Sequence, residues 1–93
     1  MKFEDFTKEQ RYIIAEFVYA NDTDTLIKSE GFDLVTVFKE KNIIDSDKEK
    51  SLKHAIKNNL PVLMDLLNIL TELVNNEEGT KIMKEYLSDV GVL

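Results

Sequence analysis

Leu34-Val35-Thr36-Val37-Phe38 is the stretch on which the fold class turns. Three of its five residues are β-branched and a fourth is aromatic, which is strand composition. A strand needs a partner, however, and no second segment of matching quality exists to pair with it. Asp33, just before it, is a good N-cap, so the favoured reading is a helix over 33–42. With that stretch helical, the whole chain reads as helices with short polar joints.

Working upstream, Thr23 or Asp24 can cap a short helix over 24–30, and Gly31 suits a left-handed position at its end. Before it, Thr7-Lys8-Glu9-Gln10 fits a capping box. The helix it opens, over 7–20, places Ile13, Ile14, Phe17, Val18 and Ala20 on an arc of about 160°. Downstream, Ser46-Asp47-Lys48-Glu49 fits a second capping box, opening a helix over 47–59 with Leu52, Ala55, Ile56 and Leu60 on one side. Pro61 follows. Inside a helix its ring would cost about 3 kcal/mol, yet Leu63, Leu67, Leu70 and Val74 continue the stripe of Leu52 and Ile56. Residues 47–75 therefore read either as two helices, 47–59 and 61–75, or as one Pro-kinked helix. The segment 61–75 is the most apolar in the chain and is expected at the centre of the fold. A last helix over 77–89 turns Ile82, Met83, Tyr86, Leu87 and Val90 inward, and Gly91 stops it. The expected fold is all-α, a small compact bundle of about five helices in a single domain, 1–93.

Composition agrees with a folded globular chain: 93 residues, 43% hydrophobic and 32% charged. There is no cysteine, so thiolate metal sites and cysteine nucleophiles are excluded and a cytoplasmic location is expected. Met1–Phe6 has neither the basic nor the apolar region of a secretory signal. The longest run without a charge, 58–64, falls far short of the ~18 apolar residues of a membrane span. Net charge is −6 and is spread along the chain, with six basic and ten acidic residues in 1–46 and six and eight in 47–93. Neither half carries the basic stripe of a nucleic-acid binder. Richness in Lys, Asn, Ile, Glu and Asp fits an AT-rich bacterial or phage genome.

Chemistry-bearing constellations are few. His54 is the only histidine and lies among lysines on a polar helix face. No HxxE or ExxH pairing accompanies it, so no metal site is expected. Asp45-Ser46-Asp47-Lys48-Glu49 begins like a calcium loop but lacks the glycine and the final glutamate, whose place Ile56 takes. Gly31, Gly79 and Gly91 are scattered, so no phosphate-cradling loop exists, and no Ser–His nucleophile is expected. Neither enzymatic activity nor a cofactor is expected.

The run Leu26-Ile27-Lys28-Ser29-Glu30-Gly31-Phe32-Asp33-Leu34-Val35-Thr36-Val37 resembles a helix-turn-helix unit over about residues 23–42. Its glycine falls in the turn, an apolar residue follows, and Thr36-Val37 sits where such motifs often have a Thr-Val. It departs from the pattern at Ile27, where alanine is usual, and at Glu30, where an apolar residue normally packs. The resemblance implies a DNA-reading second helix. That helix would present Asp33, Leu34, Val35, Phe38 and Lys39, an apolar and acidic set suited to a protein rather than to base edges.

Surfaces for a partner are the remaining lead. Tyr12 and Tyr19, seven apart, project from one side of the first helix, either covering core edges or meeting a partner. Val62 and Ile69 widen the apolar face of 61–75 on one side, and Met64 lies off it on the other. Leu34, Val35 and Phe38 complete the candidate partner-binding set. The favoured reading is a non-enzymatic protein-interaction module, a small regulator or inhibitor with a protein partner, a homodimer being one form of that. The alternatives are a degenerate helix-turn-helix regulator and an acidic DNA mimic.

Overall fold

Five α-helices and a short 3-10 turn make up the computed structural model, which describes residues 3–91. They run in the order Phe3–Asp5 (the 3-10 turn), α1 Lys8–Val18, α2 Thr23–Glu40, α3 Ser46–Lys57, α4 Leu63–Val74 and α5 Glu77–Asp89. The all-α bundle expected from the sequence is what forms, and 34–38 is helical. Among the described residues no helix is long and apolar enough to cross a membrane.

Local chemistry sets most helix starts. The Thr7 hydroxyl accepts from the Gln10 amide at 3.1 Å, and the Gln10 side chain accepts from the Thr7 amide at 2.9 Å, which completes a capping box. Asp22 caps α2 by accepting from the Thr25 amide at 3.1 Å and the Thr25 hydroxyl at 2.7 Å. Asp45 caps α3 by accepting from the Lys48 amide at 2.8 Å. This corrects the expected Ser46 cap: the carboxylate one residue earlier takes that role, and Ser46 becomes the first helical residue. Asn76 caps α5 through the Gly79 amide at 2.9 Å. Only α4 lacks a side-chain cap among these five, because Val62 at that position is buried in the core instead.

Asparagine sets the ends of α2 and α3. After α2, Asn42 adopts a left-handed φ of 58°, the Ile43 amide donates to the Phe38 carbonyl at 2.9 Å, and the Asn42 amide to Lys39 at 3.1 Å. After α3, Asn59 does the same at φ 55°, with Leu60 donating to Ala55 at 2.8 Å and Asn59 to Ile56 at 3.3 Å. Both are Schellman motifs with asparagine in the place glycine usually takes. The second ends α3 before Pro61 is reached. Residues 47–75 are therefore two helices, and the Pro-kinked alternative does not form.

Two expectations change. The helices foreseen over 24–30 and 33–42 are one continuous α2, so the chain has no joint at Gly31. Gly31 keeps a non-positive φ and is buried; a Cβ there would lie 3.0 Å from the Ile56 Cδ1. Its bareness lets α3 come close. The central helix is also α2 rather than α4. It packs against α1, α3 and α4 and buries Ile27, Leu34, Val35, Val37 and Phe38. The more apolar α4 fully buries only Leu66 and Leu70.

Candidate functional site

The apolar surplus of α4 is left on the surface where α3 hands over to it. The Schellman turn at Asn59 and the rigid Pro61 swing the chain across the start of α2, opening a groove of about 540 Å³. Ile27, Ile56, Val62 and Leu63 contribute its apolar lining. Leu60 and Met64 line it as well while remaining 48% and 67% exposed. Leu67, three residues beyond Met64 and also exposed, carries the apolar strip along the same side of α4. Three of the seven large apolar side chains left exposed among the described residues thus gather here. Isolated surface apolar residues need no explanation, but a clustered set beside a groove does.

Charge is placed at the margins. Asp24 and Lys28 come from the first turns of α2 and Asp65 from the first turn of α4; all three are exposed. Asp24 and Asp65 make no ion pair among the described residues. The groove therefore offers an aliphatic floor, two exposed apolar side chains and a margin of two carboxylates and one lysine.

The residues singled out from the sequence are dispersed rather than gathered. Val62 lines the groove but is buried, and Ile69 is half-buried against the core. Leu34, Val35 and Phe38 are wholly buried, each at 0% exposure, because the fused α2 occupies the centre of the bundle and turns them into it. They have no surface to offer a partner.

Tyr12 and Tyr19 do share one side of α1, and Tyr86 of α5 joins them. The Tyr12 and Tyr86 rings meet edge to face with centroids 5.6 Å apart; Tyr19 stacks on Tyr86 at 6.1 Å. Beside them the Arg11 guanidinium grips the Glu85 carboxylate through Nε and, at 3.0 Å, through Nη2, while its Nη1 donates to the Phe6 carbonyl at 2.6 Å. That pairing holds the Glu85 carboxyl below its ordinary range and raises the guanidinium above its own. Lys8 closes the patch, 3.3 Å from Asp89 and over the Tyr12 ring. The tyrosines thus staple α1 to α5. The signal missed in the sequence was Tyr86, whose position in the last helix reads as core, and Leu60, whose exposure follows from the turn at Asn59.

His54 is exposed, with its Nδ1 3.2 Å from the Asn58 side-chain nitrogen, which also donates to the His54 carbonyl at 2.8 Å. Among the described residues no three His, Asp or Glu side chains converge closely enough to hold a metal ion. No protein-family model matches the chain, and neither a curated protein nor a solved structure is significantly similar to it.

Proposed function

We propose that this chain is a non-enzymatic protein-interaction module, a small cytoplasmic regulator or inhibitor that grips a short amphipathic segment of a partner protein. The observation that carries the reading is the groove rimmed by Leu60 and Met64, where the most apolar helix keeps its unburied face. Grooves of this kind take apolar residues spaced three or four apart along a helix. Methionine suits such a surface, since its flexible, polarisable side chain adapts to different anchors.

Charge selects the occupant. Asp24 and Asp65 flank the groove with a single cation, Lys28, beside them, and the whole chain carries −6. A second copy of the chain would bring the same carboxylates and the same net charge against them, which disfavours a homodimer through this face. A partner segment with aliphatic anchors and flanking lysine or arginine meets both the floor and the margins.

The test is fluorescence anisotropy with a labelled Leu/Lys amphipathic peptide and a Leu/Glu counterpart of equal length. The Leu/Lys peptide is expected to bind, more weakly as salt rises, and the Leu/Glu peptide to bind at least tenfold more weakly. A Leu60→Glu/Met64→Glu double variant, still folded by circular dichroism, is expected to lose the binding. Unchanged binding by that variant would contradict the assignment.

A further inference from the structure

The packing of α1 on α2 includes a polar pair, away from the groove. Glu16 lies on α1 between the buried Ala15 and Phe17, and Glu30 lies on α2 beside the buried Gly31. Both side chains are half-buried, and their carboxyl groups approach each other between the two helices. The Oε2 atom of Glu30 is sealed from solvent and has no hydrogen-bond donor. A sealed carboxylate oxygen without a donor is costly, and two carboxylates in contact cannot both stay ionised cheaply. One proton answers both problems, because it removes a charge and supplies the donor that the pair lacks.

No cation relieves the pair. Among the described residues, Glu30 is the charged group that acts on Glu16. One turn away on α1 stand Tyr12 and Tyr19, and one turn from Glu30 on α2 stands Asp33; none is positive. Three of the cations on α1 and α3 are engaged elsewhere. Lys8 is at Asp89, Arg11 at Glu85 of α5, and Lys53 of α3 at Glu49, 3.2 Å away.

We propose that Glu16 and Glu30 form a single-proton latch between α1 and α2, closed while they share the proton and loosened when it leaves. The hydrogen bond to Glu30, with burial second, pushes the Glu16 carboxyl up to about 7. The folded-state value therefore exceeds that of the unfolded chain. Stability from this proton is complete below the ordinary carboxyl range and is lost as pH rises to about 7. The sign is opposite to that of Glu85 and Asp22, whose lowered values act on the acid limb instead.

Two measurements on the full chain test the latch. Carbon-13 NMR of the glutamate side chains should show Glu16 titrating near neutrality in the folded wild-type protein, and titration in the ordinary carboxyl range would overturn the proposal. Thermal unfolding from about pH 5 to about pH 8 should show the midpoint falling as pH rises. Glu16→Gln, which keeps a donor but cannot ionise, should flatten that fall; an equal fall in wild type and variant would also overturn it. If the variant fails to fold, the wild-type titration decides alone. The groove and its partner enter neither readout.

Discussion

Two buried glycines show how one residue type performs different work. A Cβ at Gly79 would overlap the backbone of Val74, which has no freedom to retreat because it ends α4. Gly79→Ala is therefore expected to destabilise the protein by about 1–3 kcal/mol in urea unfolding. A Cβ at Gly31 meets only the flexible tip of Ile56, and alanine is about 0.5–1 kcal/mol better than glycine inside a helix. Gly31→Ala should consequently stay within about 1 kcal/mol of wild type. Neither role is legible in the sequence, where Gly31 reads as a helix stop; only the approach of Ile56 distinguishes a packing glycine from a turning one. Glu85 belongs to the same scale. Its carboxyl, lowered by Arg11, contributes stability above the unfolded-state value that is lost as pH falls through the folded one. Glu85→Gln should cost about 1–2 kcal/mol at neutral pH and flatten the loss of stability below about pH 4.5.

At the level of elements, the strongest sequence signals were those whose chemistry is local. The Thr7–Gln10 capping box forms with both of its hydrogen bonds, and Gly91, at a left-handed φ, follows the end of α5. Boundaries that depend on tertiary contact were less legible. Periodicity alone could not decide whether α3 and α4 are one helix, because their apolar stripes align; the left-handed turn at Asn59 decides it. Pro61→Ala should therefore leave two separate helices, with Cα chemical shifts at Asn59 and Leu60 still non-helical. A shift of those residues to helical values would show that Pro61, not Asn59, makes the break. Asp22→Ala removes the cap of the central helix and should lower the thermal unfolding midpoint.

For the whole molecule, apolar content was a poor guide to position. The segment around α4 is the most apolar, which argued for the centre, yet the centre is held by the longer α2. The displaced apolar surface of α4 became the groove, and the residues predicted to bind from α2 became the core. Excess apolar surface was legible in the sequence, but its address was not, because that depends on which helix wins the middle. The proposed function rests on that address. The chain has three methionines: Met1, Met64 at the groove, and Met83, half-buried against the core. The most direct test is a methyl proton–carbon spectrum of the protein labelled at methionine methyls, titrated with the Leu/Lys peptide. The Met64 resonance should move saturably while Met83 stays in place, and the Leu/Glu peptide should need at least about tenfold higher concentration to move Met64 as far. A stationary Met64 in the presence of bound Leu/Lys peptide would contradict the groove as the partner site.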